Sequence, residues 1–312
     1  MPVNQSWPPL VRALTLELVR QPSLTNSAGE THFASQLAGQ LAAWSYFQAH
    51  PAQLRQLRTH NDVHERSNLF ALVRGTTAQT IILAGHYDVV SIENFASLQP
   101  WAYDPEALLP RLIAALELSA QPVDAQALAD LRSGDFLPGR GVLDMKSGLA
   151  AGLAVLQRAT ITAKPLACNL LFVAKPDEEQ ASHGMRSAVQ QVPALAAEWG
   201  LEFSAAINLD SGVDMGDGSQ GQTIFLGSVG KLLPAVYVVG RETHAGAPFA
   251  GINATVLAAA ITQRIECNGA LTDTVAGETS PPPVCLKQMD LKTHYDVTTP
   301  SAVWCYYNLL SH

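Results

Sequence analysis

Histidine and carboxylate side chains follow a series of short apolar runs in this sequence. His86 and Asp88 come near the end of the first such run, Ile81–Val90. Side chains two residues apart on a strand point to the same face, so one of the pair can bind a metal ion while the other orients it. An isolated pair of this kind can equally be the polar end of a core strand. Acidic residues elsewhere in the chain must decide between the two interpretations.

Three later apolar strands or strand-like runs also end in acid. The residues concerned are Asp144, then Glu178 and Glu179, then Asp210. Because open α/β sheets keep their sites at the carboxyl ends of strands, we expect these side chains to meet His86. Imidazole nitrogen and carboxylate oxygen are ligands that zinc accepts, and two ions about 3.5–4 Å apart need a bridging carboxylate. The predicted ligands are His86, Asp144, Glu179 and Asp210, with Asp144 as the bridge.

Glu178 is left over as an acid beside this ligand set. A carboxylate that lies next to bound metal without ligating it can take a proton from water and deliver it to a leaving amine. The pattern therefore predicts hydrolysis of an amide, with Glu178 as general base and Asp88 orienting His86. The alternative interpretations are a solvated acidic turn at 178–179 and an ordinary Asp-Ser-Gly turn at Asp210.

Two other charged residues near the predicted ligands receive structural interpretations. His183, close after Glu179, is expected to be a surface histidine. Lys146, two residues after Asp144, is expected to pack or pair locally rather than to take part in catalysis.

Helices and short strands must position these side chains. Apolar residues recur at helical spacing from Leu10 and again from about Glu30, which predicts two amphipathic helices covering a sheet. The second helix is expected to end near the His50–Pro51 step. A helix rich in alanine and glycine is predicted over 146–159. Apolar runs that predict buried strands are 68–73, 80–84, 169–174 and 205–209.

A long segment, residues 91–139, separates the first predicted ligand from the second. It has helical stretches near 105–118 and 125–131, and we assign no chemistry to it. A long insertion beside a site is often a lid or a specificity element.

The composition changes near Gly216–Gln222, a glycine- and serine-rich hinge. The order beyond it is strand, helix, strand, strand, at 232–239, 253–266, 284–289 and 302–308. That order is typical of a small two-layer α+β module. We therefore predict a catalytic domain over residues 1–222 and a second, partial domain over 223–312.

Composition excludes several classes of protein. The chain has 312 residues, 47% hydrophobic and 15% charged, as in soluble globular proteins. Its net charge of −8, from 19 basic and 27 acidic residues, comes with no basic block that could follow a nucleic-acid backbone. The four cysteines are scattered, which favours a reducing compartment. Without a signal-peptide pattern or an apolar window of membrane-spanning length, we expect a cytoplasmic protein with no membrane or nucleic-acid partner.

Taken together, these stretches resemble peptidase family M20, the group containing acetylornithine deacetylase, succinyl-diaminopimelate desuccinylase, aminoacylases and carboxypeptidase G. The matching stretches, in chain order, are Gly85–Val90, Gly139–Gly148, Asp177–Glu179 and Asn208–Asp210. The resemblance implies an α/β fold: a three-layer, mixed-sheet zinc-hydrolase domain with a smaller, ferredoxin-like α+β domain for dimerisation or lid closure. It also implies that His86 and Asp210 hold one zinc ion, that Glu179 belongs to the other, and that Asp144 bridges them.

The small domain carries one further candidate residue. His244 lies in a loop, Thr243–Pro248, that resembles the family loop whose histidine reaches the partner's active site in a homodimer and stabilises an oxyanion. Three other stretches resemble the arginine-utilisation branch of the family: Tyr46–Gln48, Trp101–Pro105 and Tyr295–Pro300.

The sequence departs from the family pattern near its end. Family members return to the catalytic domain after the small domain, and a late histidine there completes the second zinc site. Neither His294 nor His312 has the surroundings of that ligand. We therefore expect a chain truncated at its C-terminus, with a weak or empty second metal site.

Two hypotheses of function follow. The first is a zinc-dependent hydrolase acting on a small peptide or an N-acyl amino acid, with one or two ions bound. Cobalt or manganese could replace zinc, because oxygen-rich ligand sets discriminate poorly between metals. The second is a catalytically weak or inactive homologue that binds metal or is completed by another polypeptide.

Overall fold

The computed structural model describes residues 6–119, 121–212 and 224–311. The chain divides into two compact units, Met1–Val213 and Asp214–His312. The predicted hinge, Gly216–Gln222, and the predicted boundary after residue 222 lie outside the described residues.

The first unit is built on a five-stranded sheet. Its strands are β1 (Leu54–Arg58), β2 (Ser67–Val73), β3 (Gln79–His86), β4 (Asn169–Lys175) and β5 (Glu202–Asn208). Their order across the sheet is β1-β2-β4-β3-β5, with β3 parallel to both β4 and β5 and the other pairs antiparallel. The carboxyl ends of β3, β4 and β5 therefore meet at one edge. The mixed sheet predicted from the sequence is confirmed.

Helices cover both faces of this sheet. The helices of the unit are α1 (Trp7–Val19), α2 (Ala28–Ala42), α3 (Ser45–Ala49), α4 (Pro105–Glu117), α5 (Pro122–Ser133), α6 (Ser147–Ile161) and α7 (His183–Trp199), of which α4 and α5 belong to the inserted segment 91–139. One core cluster joins α1, α2 and α6 to the sheet, through residues such as Leu18, Phe33 and Leu149. A second cluster on the opposite face joins α7 to β2 and β4. The first unit thus has the three layers expected.

Some predicted boundaries are wrong. The second helix ends at Ala42 rather than near His50–Pro51, because Trp44 adopts an extended backbone before the short α3 begins. Strand β1 was not predicted, since its sequence, Leu-Arg-Gln-Leu-Arg, has too few apolar residues to stand out. The inserted segment contains α4 and α5, as expected.

Strand β5 is exposed along its whole length, contrary to the prediction of a buried strand. Among the described strands it pairs only with β3, and the apolar side chains of Phe203 and Ile207 are accessible to solvent. An apolar run predicts that a strand forms, but whether it is buried depends on which neighbours cover it.

The second unit contains a four-stranded sheet and one longer helix. Its elements are β6 (Gly230–Leu232), β7 (Ala235–Val239), α8 (Ala254–Ile265), β8 (Thr274–Val275), β9 (Glu278–Thr279), β10 (Val284–Asp290) and β11 (Ala302–Ser311). Strand β11 pairs with β10, β6 and β7, and α8 packs through Ala254 and Ala258 against Val238 and Val303. The single strand predicted over 232–239 is interrupted at Pro234, which has no N–H to donate. Among the described helices of both units, none is long and apolar enough to cross a membrane.

Phe33 belongs to the core cluster that joins α1, α2 and α6 to the sheet. Its ring is fully buried and stacks on Tyr87, with ring centroids 4.7 Å apart. The ammonium of Lys146 lies 4.8 Å from the centre of the same ring. Tyr87 stands between His86 and Asp88, so this packing supports the predicted site.

We expect Phe33→Ala to lower the free energy of unfolding by about 3–5 kcal/mol, because it leaves a cavity where a buried ring stood. Urea unfolding at equilibrium measures the change. Phe136→Ala is the control, since Phe136 is 53% exposed in the same unit and should change stability by about 0.5 kcal/mol or less. Equal effects of the two substitutions would contradict the packing described.

Candidate metal centre

His86 is the last residue of β3, and its ring is held at both nitrogens. Nδ1 lies 3.0 Å from the backbone oxygen of Asp88 and 3.4 Å from a carboxylate oxygen of the same residue. Nε2 lies 2.9 Å from Oδ1 of Asp144. The whole side chain is buried. Because Asp88 fixes Nδ1, it is Nε2 that faces the acidic residues.

Asp144 comes from a tight turn, Val142–Lys146, rather than from the end of a strand-like run. The prediction of a strand end here is wrong. Gly141 has a left-handed φ of 76°, and the backbone N–H of Lys146 donates to the carbonyl oxygen of Gly141 at 2.8 Å, which closes the turn. The Asp144–Met145 peptide bond is cis. Lys146 is buried, and its ammonium donates to the carbonyls of Leu18 and Gln21 at the end of α1. The turn is thereby attached to the helical layer, a local role that agrees with the expectation for Lys146.

Two glycines let the predicted motifs pack on one another. A Cβ on Gly85 would stand 2.5 Å from Cε of Met145, so Gly85 makes room for the Asp144 turn against β3. A Cβ on Gly148 would stand 1.9 Å from the carbonyl oxygen of Leu209, the residue before Asp210. The close approach at Gly148 lets α6 lie directly against the segment that carries Asp210. Asp210 Oδ2 is 3.8 Å from His86 Nε2.

Glu178 and Glu179 follow β4 in a segment whose backbone binds Asp88. The N–H of Glu178 donates to Oδ1 of Asp88 at 3.0 Å, and the N–H of Glu179 donates to Oδ2 at 3.2 Å. Burial opposes ionisation of Asp88, but the hydrogen bonds from His86 and these amides hold its pKa below the usual value. One carboxylate thus fixes His86 and both glutamates. The half-exposed side chain of Glu178 places Oε2 3.9 Å from His86 Nε2.

The side chains converge closely enough to hold a metal ion. Ligand atoms of His86, Asp144 and Glu179 all lie within 4.8 Å of one another. Burial, followed by repulsion from Asp144, raises the pKa of Glu179 to about 7. Burial opposes protonation of His86, but hydrogen bonds to Asp144 and Asp88 outweigh it and raise the imidazole pKa to about 10. Asp144 and Asp88 thus contribute to both shifts. A nitrogen and carboxylate donor set of this kind fits a divalent cation such as zinc.

Lys175 offsets part of this negative charge. It is in register with His86 on the neighbouring strand, so the two side chains share a face of the sheet. Lys175 is only 6% exposed, and burial lowers its pKa, while the charges of Glu178, Asp210 and Asp88 act in the opposite sense. No motif in the sequence distinguishes Lys175 from the other lysines.

The predicted residues fall into two groups. His86, Asp88, Asp144, Glu178, Glu179 and Asp210 meet at one edge of the first unit's sheet. His244 belongs to the second unit, where it pairs with Thr298 in an isolated bridge and its Nδ1 accepts the N–H of Gly246 at 3.0 Å. His294 is also in that unit, and His312 lies outside the described residues.

His183, predicted to be a surface histidine, is only 27% exposed. Its ring Nδ1 lies 2.7 Å from Oδ2 of Asp177, and the backbone N–H of His183 donates to the same oxygen at 2.9 Å. Asp177 is almost fully buried and immediately precedes Glu178 and Glu179. The histidine therefore takes part in holding that segment.

A model of a peptidase family matches most of this chain. Residues 82–300, which include all the predicted site residues, match the model for Peptidase family M20/M25/M40. Protein RocB of Bacillus subtilis is 36% identical over 300 residues, which cover 96% of this chain and 52% of RocB. The uncharacterized protein YqjN of the same organism is 37% identical over 300 residues, 96% of this chain and 53% of YqjN. The chain spans about half the length of these relatives.

A solved structure supports the fold. The crystal structure of an M20 family metallo-carboxypeptidase, Sso-CP2, from Sulfolobus solfataricus superposes with a TM-score of 0.61 at 12% identity, covering 96% of this chain and 71% of that one. At this identity the likeness concerns the fold alone. From the family match and these two relatives, we conclude that the chain belongs to peptidase family M20/M25/M40.

Proposed function

We propose that this protein is a metal-dependent hydrolase of the amide bond in a small peptide or an N-acyl amino acid. The observation that carries the proposal is the convergence of His86, Asp144 and Glu179 within 4.8 Å at the carboxyl ends of parallel strands, in a chain of a peptidase family. Residues 1–222 would form the catalytic domain and 223–312 part of a dimerisation or lid domain. We propose the cytoplasm as its location and arginine utilisation as its setting.

The proposed ligands are His86, Asp144, Glu179 and Asp210, with Asp144 shared if two ions bind. Zinc is the metal we propose, and cobalt or manganese are the alternatives. A bound divalent ion would supply Lewis acidity, which polarises the scissile carbonyl and lowers the pKa of water. His86 would present Nε2 because Asp88 holds its Nδ1.

Glu178 is the proposed general base. Its side chain is 45% exposed, so substrate and water can reach it, yet its backbone is anchored to the buried Asp88. A carboxylate held in this way can accept a proton from the attacking water and pass it to the leaving amine. Asp88 would thus orient both the histidine ligand and the base.

His244 is proposed to act in a homodimer, where its ring would donate to the developing oxyanion of the partner's substrate. The loop that bears it is tied at both ends in the second unit: Arg241 pairs with Ile252, and Thr299 N–H donates to the carbonyl of Thr243 at 2.9 Å.

The test is hydrolysis of a panel of dipeptides and N-acyl amino acids by the metal-stripped protein, before and after zinc, cobalt or manganese is restored. We expect activity that depends on the metal. Metal binding without hydrolysis of any panel member would favour the alternative function, a catalytically inactive metal-binding homologue or one completed by another polypeptide. Hydrolysis that continues after the metal is removed would contradict the proposed function.

A further inference from the structure

A buried ionic cluster lies directly behind the segment that carries Glu178 and Glu179. At its centre is Arg66, which precedes β2 and is 1% exposed. Its guanidinium binds Asp62 with two nitrogens: Nε lies 2.8 Å from Oδ2 and Nη2 lies 3.0 Å from Oδ1. The fork geometry fixes the plane of the guanidinium and directs the remaining nitrogen, Nη1, away from Asp62.

Nη1 of Arg66 faces two more buried carboxylates. It donates to Oε2 of Glu30 at 3.0 Å. It also lies 3.0 Å from Oδ1 of Asp177, an ion pair without hydrogen-bond geometry. Glu30 comes from α2, Arg66 from the residue just before β2, and Asp177 from the segment after β4. Arg66 therefore joins three elements of the first unit at a point that water does not reach.

Asp177 is held both through its backbone and through its side chain. Its N–H donates to Oε1 of Glu30 at 2.9 Å, and its Oδ2 accepts the backbone N–H of His183. Its φ of 62° is left-handed, a conformation that residues other than glycine rarely keep unless their surroundings impose it. The next two N–H groups, of Glu178 and Glu179, bind Asp88. Three consecutive amides are thus bound by two buried carboxylates, and this sets where both glutamate side chains begin.

The balance of charge makes Arg66 essential to this arrangement. Three carboxylates, of Glu30, Asp62 and Asp177, surround one guanidinium. Burial, followed by the nearby charge of Asp88, raises the pKa of Glu30 to about 7, while the contact with Arg66 acts in the opposite sense. Without Arg66, the carboxylates of Glu30 and Asp177 would repel one another across a buried space, and Asp177 would lose one of the contacts that oppose its displacement.

We propose that Arg66 is a positioning residue, which acts through Asp177 to hold Glu179 in place as a metal ligand and Glu178 in place as the general base. The inference rests on the proposed function, since it assumes that Glu178 is the general base and Glu179 a metal ligand. Arg66 itself does not touch the candidate metal ligands.

The test compares Arg66→Met and Arg66→Lys with wild type in the full 312-residue chain. Zinc affinity is measured by competition with a chromophoric chelator, and folding by circular dichroism. Removing a residue that orients metal ligands typically weakens metal binding or activity by about 10- to 100-fold. We expect a loss of this size in the zinc affinity of Arg66→Met. We also expect the fold decrease in its kcat to exceed the fold change in its KM. Arg66→Lys keeps the positive charge but cannot bind Asp62 with two nitrogens at once. Its zinc affinity should therefore lie between those of wild type and Arg66→Met.

Arg74 provides the matched control, because it follows the same strand at the opposite end, where Nη1 donates to the carbonyl of Trp199 at 2.6 Å. Arg74→Met should leave zinc affinity unchanged. Folded Arg66 variants that bind zinc as tightly as wild type would overturn the inference while leaving the proposed function intact. Failure of the wild-type protein to bind zinc would instead count against the proposed function. If Arg66→Met does not fold, Asp177→Asn breaks the same ion pair at nearly constant volume, and unchanged zinc affinity in that variant overturns the inference equally.

Discussion

Replacing Glu178 by glutamine is expected to lower kcat by about 10²- to 10⁴-fold, the range typical of removing a general base. Glutamine keeps the size and polarity of the side chain but cannot accept a proton near neutral pH. The backbone N–H of residue 178 still binds Asp88, so the loop should not move. Steady-state hydrolysis of the best substrate in the panel gives kcat, and we expect zinc affinity and thermal stability to remain close to wild type.

Glu202→Gln is the control for that substitution. Glu202 begins β5 at the end of the sheet opposite the candidate metal centre, where its carboxylate accepts a hydrogen bond from Gln79 at 2.8 Å. The Glu202→Gln substitution should leave kcat unchanged. If Glu178→Gln retained near wild-type kcat while binding zinc normally, another group would have to be the base.

Replacing His86 by glutamine is expected to have the largest effect on metal binding. An amide is a far weaker ligand than imidazole, and His86 is the nitrogen donor around which the acids of the site are gathered. Losing it should weaken zinc binding by more than the roughly 10- to 100-fold seen when only a ligand's supporting partner is removed. Titration of the metal-stripped protein with zinc, followed by calorimetry, measures the change, and hydrolysis should fall with it.

The control for the histidine is His60→Gln. His60 is exposed, and its ring Nδ1 lies 2.7 Å from the side chain of Gln190, away from the candidate ligands. Its replacement should leave zinc binding as in wild type. Equal zinc affinity in the His86 and His60 variants would mean that the ion binds elsewhere on the protein.

The edge of the sheet where the candidate residues meet could be predicted from the sequence. His86, Asp88, Glu178, Glu179 and Asp210 all follow apolar runs, and parallel strands bring their carboxyl ends together. Asp144 lies at the same edge but on a tight turn rather than at the end of a strand. The sequence therefore predicted the residue correctly and its secondary structure wrongly. The mixed α/β fold was predictable because β2, β3 and β4 are strongly apolar.

The exposure of β5 and the cluster around Arg66 could not be predicted. An apolar run such as that of β5 reports that a strand can form, but its burial is decided by elements distant in the chain. Arg66 lies 36 residues after Glu30 and 111 residues before Asp177 in the sequence. A single charged residue usually lies at the surface. Their pairing depends on the tertiary fold. His183 was misjudged for the same reason, since the burial of its partner, Asp177, has no local signal.

The central claim is that a metal ion binds at the end of β3. The most direct test is anomalous diffraction at the zinc absorption edge from crystals of the zinc-loaded protein. We predict an anomalous peak at about 2.0–2.1 Å from Nε2 of His86, the usual zinc to imidazole distance, with Asp144 and at least one of Glu179 and Asp210 completing the ligands. A zinc-saturated crystal with no peak beside His86, or with its peaks only at other places on the protein, would contradict the account.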